Sequence, residues 1–265
     1  MKPSPPALSP PPSSQLLAGL QPMQPRGLSL PGVFIIGTDT EVGKTYQACR
    51  LARCLRERYR VGVYKPVASG VTCAAAGDAM LPSDAQLLRA AANAPQPVAR
   101  VCPQAFRAAV APPVAAEMED RRVDDDLLLS GGLWWQGECD FLIVEGAGGG
   151  LSPLSESQCV LDLAALLALP IILVAANRLG VVNHTLLTIE AVQARGLSLV
   201  GVVLNTLPQT SEVDSDTRLA QQSNARLLRH WAAGQWEIVD TIEALVPRLP
   251  TPDSGSSSAS GVVRD

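Results

Sequence analysis

The sequence of 265 residues is poor in aromatic side chains, in histidine and in net positive charge. Phe, Trp and Tyr together make up 4% of the chain, so the core is predicted to consist mainly of Val, Leu, Ile and Ala. The net charge of −4 and the isoelectric point near 5.3 argue against a general surface for nucleic acid or for an anionic membrane. A run of about 18 apolar residues is also missing, so no membrane-spanning helix is predicted.

Cysteine pairs are missing as well. None of the six cysteines belongs to a C-x-x-C pair, and only His184 and His230 could join them in a zinc site. Reduced thiols and a cytoplasmic location are therefore predicted. The N-terminus has no compact apolar segment followed by a cleavage pattern, so a secretory signal is not predicted.

Both ends of the chain have compositions that disfavour a folded core. Residues 1–31 hold nine of the 22 prolines, many serines and no acidic residue, and we predict a disordered tail there. An organelle transit peptide is the alternative, but it would rest on two basic residues only. Residues 250–265 are rich in Pro, Ser and Gly and are predicted to form a second tail. One large domain is expected between them, at residues 32–249.

The stretch Gly32–Tyr46 combines an apolar β-branched run, a turn with a glycine at each end, and the start of an amphipathic segment. This order predicts a strand, a phosphate-binding loop and a helix, because the N-terminus of a helix offers backbone N–H groups and a positive dipole to an anion. Gly43 allows close backbone approach, Lys44 would place a cation on the phosphates, and the Thr45 hydroxyl would bind Mg²⁺. The loop is a variant of G-x-x-x-x-G-K-[ST], since its first glycine is one residue earlier than that pattern requires.

Further apolar runs alternate with helical patterns along the chain. The predicted strands are Val33–Ile36, Val61–Tyr64, Phe141–Val144, Ile171–Ala175 and Leu199–Leu204, and the first helix is predicted at Gln47–Arg58. Continuous apolar strands are typical of a parallel sheet that is buried on both faces. The prediction is therefore a single α/β domain of the phosphate-loop NTPase type, with a mostly parallel sheet and helices on both faces.

The second strand ends at Lys65, which Pro66 holds in an extended or turn geometry. Ligands of open α/β sheets bind at the carboxyl ends of the strands, so Lys65 is predicted to point toward the phosphates. A solvated surface lysine is the alternative. We expect the side chains of Lys44 and Lys65 to face a solvent-filled crevice and not the core.

A carboxylate and a group of glycines follow the strand that begins at Phe141. Glu145 can reach a Mg²⁺ ion held by Thr45, because this cation usually takes one or two carboxylates together with phosphate oxygens and water. Asp84 is a second candidate ligand, although on physical grounds alone it is better explained as the N-cap of a helix at Ala85–Ala92.

Another strand is followed by the segment Asn177–His184, which opens a helix. The N–H groups of Gly180, Val181 and Val182 would suit a carboxylate, and Asn183 adds a side-chain donor. His184 is more simply explained as a structural residue than as a catalytic one.

Five motifs in this order resemble those of dethiobiotin synthetases. They are Gly37–Thr45, Tyr64–Gly70, Ser83-Asp84, Val144–Gly149 and Leu179–His184, within residues 32–206. The resemblance implies an enzyme that uses ATP and Mg²⁺ to join 7,8-diaminononanoate with CO₂ (supplied by bicarbonate) into dethiobiotin, a step of biotin biosynthesis. It also implies a homodimer with active sites at the interface.

The resemblance assigns roles by position. Lys65, Lys44 and Thr40 would be catalytic, with Lys65 stabilising a carbamate and Thr40 facing it. Mg²⁺ would be held by Thr45, Asp84 and Glu145. The residues that would bind ATP are Glu41, Val42, Gly43, Lys44, Thr45, Tyr46, Asp84, Glu145, Gly146, Ala147, Gly148, Asn205 and Thr206. The substrate would be bound by Ser69, Gly180, Val181, Val182 and Asn183.

Two departures from the family pattern leave alternatives open. Ala111–Val114 stands where relatives often carry a histidine, and the late strand that helps to frame the base is recognisable only as a weak substitute at Trp236–Val239. A partition-type ATPase switch would carry an extra lysine early in its loop, where this chain has Asp39. A cobalamin-pathway amidoligase needs a glutaminase domain for which this chain is too short, and a catalytically impaired homologue is a further alternative.

Overall fold

The structure, a computed structural model, describes residues 27–71, 82–207 and 215–252. Most of the two predicted tails, at residues 1–26 and 253–265, lies outside these ranges. Residues 27–31, which the sequence places in the first tail, lie against the domain. The Leu28 N–H donates to the Leu167 carbonyl at 3.3 Å, and the Leu142 N–H donates to the Pro31 carbonyl at 2.9 Å. The folded part therefore begins no later than Gly27.

A six-stranded parallel sheet forms the centre of the molecule, which confirms the predicted fold class. Its strand order is β2-β5-β1-β6-β7-β8. These strands are β1 (Gly32–Gly37), β2 (Val61–Tyr64), β5 (Phe141–Gly149), β6 (Ile171–Ala176), β7 (Leu199–Asn205) and β8 (Glu237–Val239). A second, two-stranded sheet pairs β3 (Val67–Ala68) with β4 (Gln104–Ala105).

Helices connect these strands. In the described part of the chain they are α1 (Lys44–Leu55), α2 (Ser83–Ala92), α3 (Val98–Val101), α4 (Pro112–Glu117), α5 (Asp125–Leu133), α6 (Val160–Leu167), α7 (Val181–Gln193) and α8 (Ser215–Ala232). A 3₁₀ helix follows at Ile242–Arg248. Within the described ranges, no helix is both long enough and apolar enough to span a membrane.

The main sheet is covered on both faces. Every residue of β1 and of β6 is buried, and successive side chains of a strand point to opposite faces. Helix α1 packs its apolar positions Ala48, Leu51, Ala52 and Leu55 inward, at the spacing of one helical face. Lys44 and Gln47 are the buried polar residues of this helix.

Helix α1 and strand β5 differ most in extent from the prediction. Helix α1 runs from Lys44 to Leu55 and not from Gln47 to Arg58, because Gly43 adopts a left-handed conformation (φ 91°) that turns the chain directly into the helix. Strand β5 continues past Val144 to Gly149, where Gly149 pairs with Gly37 at the end of β1. The late strand that the sequence indicates only weakly is present in the structure, where β8 pairs in parallel with β7 through Val202 and Ile238.

Candidate active site

Three neighbouring strands deliver the main candidate residues to one edge of the sheet. In the order β2-β5-β1, the carboxyl ends lead to Lys65, contain Glu145, and open the phosphate loop that ends at Lys44 and Thr45. Because all these strands are parallel, their carboxyl ends meet at the same edge. The predicted clustering of these four residues is therefore a direct consequence of the strand order.

The phosphate loop folds back tightly on itself. The Lys44 Nζ donates to the Asp39 carbonyl at 2.8 Å and so closes the loop. A Cβ on Gly37 would lie 2.6 Å from that carbonyl oxygen and 3.0 Å from the Lys44 Nζ, so this compact arch needs glycine there. Glu41 adopts a positive φ of 57°, which is uncommon for a residue with a side chain and places strain at the tip of the loop.

Lys44 is buried to 7% exposure, contrary to the expectation of a solvent-filled crevice. Burial, together with the neighbouring charge of Lys65, lowers the pKa of Lys44 to about 8. The ammonium is closed off because it bonds to the backbone of its own loop. A phosphate group accepting from Lys44 would stabilise its charged form.

Lys65 lies at the centre of an ionic cluster. Its Nζ donates to Glu145 Oε1 at 2.5 Å and to the Gly146 carbonyl at 3.3 Å, and it lies 3.4 Å from Asp84 Oδ2. The Lys65 side chain is 6% exposed, so it too lies in the interior and not in a solvent-filled crevice. Burial alone would lower the pKa of Lys65, but the Glu145 and Asp84 carboxylates outweigh it, so the pKa is raised and the group stays protonated.

The oxygen atoms around this cluster fit a hard divalent cation. The Thr45 hydroxyl donates to Glu145 Oε1 at 2.8 Å, which places the two predicted ligands side by side. Glu145 Oε2 is buried and has no hydrogen-bond partner among the described residues. An unpartnered buried carboxylate oxygen is costly unless it meets a cation or a donor. Two carboxylates and a hydroxyl are the donor set that Mg²⁺ takes beside phosphate oxygens.

Asp84 is not an N-cap, so that explanation of the residue is wrong. Helix α2 has Pro82 at its N-cap position, and Asp84 lies within the first turn, with its carboxylate directed to Lys65. The physical reason is that α2 begins at Ser83, so Asp84 lies inside the helix, where its carboxylate is attracted by the charge of Lys65.

Two buried amides join the phosphate loop to β7. Asn205 Nδ2 donates to the Val42 carbonyl at 2.8 Å, and Gln47 Nε2 donates to Asn205 Oδ1 at 2.9 Å. From the sequence, Asn205 is predicted only as an ATP contact and Gln47 is not predicted. A polar residue among the apolar positions that α1 packs inward was the available signal for Gln47.

The glycines after Glu145 allow close packing. A Cβ on Gly146 would lie 2.6 Å from a methyl of Val160, and one on Gly148 (φ 75°) would lie 2.5 Å from the Ser152 hydroxyl. Ala147 is half-buried between them. The two glycines are thus required by packing against the protein's own side chains, and the ATP contacts assigned to residues 146–148 stay predictions.

The remaining loop candidates are exposed. The Thr40 N–H and hydroxyl both donate to Asp39 Oδ1, at 2.7 and 3.2 Å. The ring of Tyr46 is 58% exposed, and the Arg50 guanidinium lies 5.7 Å from its centroid. Their assigned roles stay predictions.

The predicted substrate residues are not bonded to the ionic cluster in the described part of the chain. Gly180 has a φ of 88° at the N-cap of α7, with Val181 buried and Asn183 exposed after it. Within the described residues no hydrogen bond joins this turn, or the half-buried Ser69, to the Lys65 cluster. Arg178 connects the turn to the phosphate loop, since its guanidinium lies 3.5 Å from the Asp39 carboxylate. Nearby, the Thr206 hydroxyl accepts from the Asn177 amide at 3.3 Å.

Comparison with known proteins supplies the family. Residues 31–236 match a family described as an AAA domain. The ATP-dependent dethiobiotin synthetase BioD of Rhodopirellula baltica is 39% identical over 75% of this chain and 79% of its own length. The protein of the same name from Cellvibrio japonicus is 38% identical over 88% of this chain and 96% of its own.

Solved structures add only a weak likeness. The septum site-determining protein MinD of Pyrococcus horikoshii, complexed with Mg-ADP, is 17% identical over 73% of this chain and 76% of its own, with a TM-score of 0.38. A score of that size carries no argument about function. The two relatives from Rhodopirellula baltica and Cellvibrio japonicus show the family: this chain belongs to the ATP-dependent dethiobiotin synthetase family.

Proposed function

We propose that the protein uses ATP to close the ureido ring of dethiobiotin, from 7,8-diaminononanoate and CO₂, with release of ADP and phosphate. The observation that carries this proposal is the cluster of Lys65, Glu145 and Thr45 beside the phosphate loop. A nucleotide switch needs the loop and a metal ligand, but it has no use for a second buried lysine at the end of β2. A ligase that binds an anionic substrate next to a triphosphate needs such a second lysine.

The chemistry follows in three balanced steps. One amine of the diamine adds to CO₂ and loses a proton, which gives a carbamate. A carbamate oxygen then takes the γ-phosphoryl group of ATP, and ADP leaves. The second amine attacks the resulting mixed anhydride, phosphate leaves, the new ureido nitrogen loses a proton, and the ring closes. Negative charge moves at each step, and fixed cations such as Lys44 and Lys65 stabilise it best in a buried site.

Lys65 is proposed to hold the carbamate, and Lys44 the phosphate oxygens. The charge of Lys65 is secured by Glu145 and Asp84, so it is available at neutral pH. Thr40, on the exposed side of the loop, would face the carbamate. The protein's contribution is positioning and electrostatics, as is general for phosphoryl transfer.

Mg²⁺ would be held by Thr45, Asp84 and Glu145; in the structure both carboxylates contact Lys65, and the Thr45 hydroxyl donates to Glu145. The ion would neutralise charge on the phosphate oxygens of bound ATP. Support comes from the buried, unpartnered Glu145 Oε2. The finer details of the nucleotide site remain proposals, including base contacts at Asn205 and Thr206 and phosphate contacts along residues 41–46 and 146–148.

The remaining proposals are a homodimer and a substrate carboxylate bound at the start of α7. Helix N-termini favour carboxylates, and Gly180–Asn183 would supply the donors to the active site of a second copy. Leu179 is 85% exposed and Leu187 is 56% exposed, which supports a contact along this helix. Ser69 would contact the same substrate. The cytoplasmic location stays a prediction.

The test is incorporation of labelled carbon. Purified protein is incubated with ATP, Mg²⁺, the diamine and ¹³C-bicarbonate, and the product is examined by mass spectrometry. Dethiobiotin that carries one ¹³C, in the ureido carbonyl, is expected. Unlabelled product, or no product while ATP is still bound, would contradict the proposal.

A further inference from the structure

We propose that Gln47 is a positioning residue for the triphosphate: through Asn205 it holds the phosphate loop in the conformation that presents the Gly43 N–H to the ligand. This inference rests on the proposed nucleotide site and adds to it a residue that makes no contact with ATP of its own. It starts from two buried amides, Gln47 at 1% and Asn205 at 6% exposure.

The orientation of both amides is determined by one backbone carbonyl. The Val42 carbonyl can only accept, so the nitrogen of the Asn205 amide must face it, at 2.8 Å. Asn205 Oδ1 must then face Gln47, and the Gln47 nitrogen must donate to it, at 2.9 Å. Either amide in the opposite orientation would bring two acceptors, or two donors, together. Gln47 therefore prevents the Asn205 amide from turning.

The bond to Val42 determines which way the next N–H points. In a trans peptide the carbonyl of one residue and the N–H of the following residue point in opposite directions. Because the Val42 carbonyl is held toward Asn205, the Gly43 N–H points away from Asn205. In the described part of the chain this N–H has no protein acceptor, so it remains available to a phosphate oxygen.

The Asn205 amide and Gly43 are packed too closely for another arrangement of these two residues. A Cβ on Gly43 would lie 2.2 Å from Asn205 Nδ2, so the amide packs directly on the α-carbon of the loop glycine. Gly43 also has a φ of 91° and begins α1, where Gln47 N–H donates to its carbonyl at 3.0 Å. Gln47 thus holds the same glycine from both sides, once through the helix backbone and once through Asn205.

The side-chain oxygen of Gln47 allows a positioning role of this residue to be distinguished from a stabilising role. Gln47 Oε1 is buried and has no partner among the described residues. Replacing Gln47 by the similarly shaped methionine removes that unpaired oxygen but leaves Asn205 Oδ1 unpaired. The number of buried oxygen atoms without a hydrogen-bond partner therefore stays the same. We therefore expect Gln47→Met to leave the thermal midpoint nearly unchanged while the loop loses its fixed orientation.

The first measurement compares ATP binding and turnover. Gln47→Met should raise both the KM and the Kd for ATP about tenfold, the usual worth of one net hydrogen bond, and leave kcat within about twofold. Gln104→Met is the matched control, since Gln104 is also a buried amide but bonds to the backbone of Asp124. It should lower the thermal midpoint and leave the KM for ATP unchanged.

The second measurement tests whether Gln47 acts through Asn205. Asn205→Leu should weaken ATP binding, and Gln47→Met added to it should weaken binding less than about twofold further, because the effects are coupled. Full multiplication of the two effects, or an unchanged KM in Gln47→Met alone, would overturn the inference. Wild-type protein that binds no ATP would instead overturn the proposed function on which it rests.

Discussion

At the scale of single residues, burial changes how Lys65 must be tested. The sequence places Lys65 after a strand and so predicts its proximity to the phosphates, but it does not predict that Glu145 neutralises the lysine in the interior. That pairing depends on β2 and β5 being neighbours, at a sequence separation of 80 residues. Removing either partner leaves a buried charge without compensation, so activity and stability change together.

The first prediction therefore uses two variants. Lys65→Gln should abolish product formation and lower the free energy of unfolding by about 3 kcal/mol, because Glu145 is left buried and unpaired. The double variant with Glu145→Gln should recover most of that stability and remain inactive. Urea denaturation and product assays measure both quantities.

An inactive double variant with restored stability assigns the loss to chemistry and not to unfolding. Dethiobiotin formation near the wild-type rate in either variant would contradict the role of Lys65. Restored activity in the double variant would show that the ion pair serves the fold alone.

At the scale of elements, the strand ends could be predicted and the long-range side-chain contacts could not. Apolar runs identify β1, β2 and β5, and polar residues directly after or within them identify Lys65 and Glu145. Gln47 and Asn205 are 158 positions apart, and no local pattern relates them. The sequence indicates β8 only weakly because β8 is a three-residue edge strand with one buried side chain.

The second prediction concerns the opposite edge of the sheet, where β2 and β5 begin. Asp140 accepts from the Arg60 backbone at 2.9 Å and from its guanidinium at 2.6 Å. These hydrogen bonds lower the pKa of Asp140. Asp140→Asn should cost less than about 1 kcal/mol at pH 7, because the pair is partly exposed and screened by solvent.

The difference in stability between the wild-type protein and Asp140→Asn depends on pH with a definite sign. A carboxyl with a lowered pKa stabilises the fold above its unfolded pKa, about 3.9, and the effect is lost as pH falls through the lower, folded value. Urea denaturation of both proteins at pH 7 and near pH 3 measures it. The two stabilities should converge in acid, and a difference that grows toward low pH would contradict this contact.

At the scale of the whole molecule, the proposed active site would combine residues of two copies of the chain. The residues proposed to bind the nucleotide belong to one copy. The proposed carboxylate site at the start of α7 has no hydrogen bond to the Lys65 cluster among the described residues, and the exposed Leu179 and Leu187 lie beside it. The family resemblance predicts this division, since a sheet order alone does not specify an oligomer.

The third prediction tests the dimer. Leu187→Glu, on the exposed side of α7, should convert a dimer into a monomer and reduce activity at least tenfold, because a charge would be buried at the interface. Leu219→Glu is the control, since Leu219 is 64% exposed on α8. Sedimentation velocity measures the mass of each variant. A fully active wild-type monomer would contradict the proposal.

The fourth prediction concerns the N-terminal segment. The composition of residues 1–31 disfavours a folded core and the family match begins at residue 31, so deletion of residues 1–26 should leave kcat and the thermal midpoint unchanged. Steady-state kinetics and thermal unfolding measure the effect. A drop of more than about 4 °C in the midpoint, the size expected for 1 kcal/mol, would show that this segment stabilises the domain.

The central claim is that ATP cleavage is coupled to ring closure, and phosphate release measures this most directly. Purified protein is given ATP, Mg²⁺ and bicarbonate, and phosphate is followed before and after addition of 7,8-diaminononanoate. We predict that release depends on the diamine and matches dethiobiotin formed in a ratio of one to one. Phosphate release at the same rate without the diamine would contradict the account and indicate a nucleotide switch.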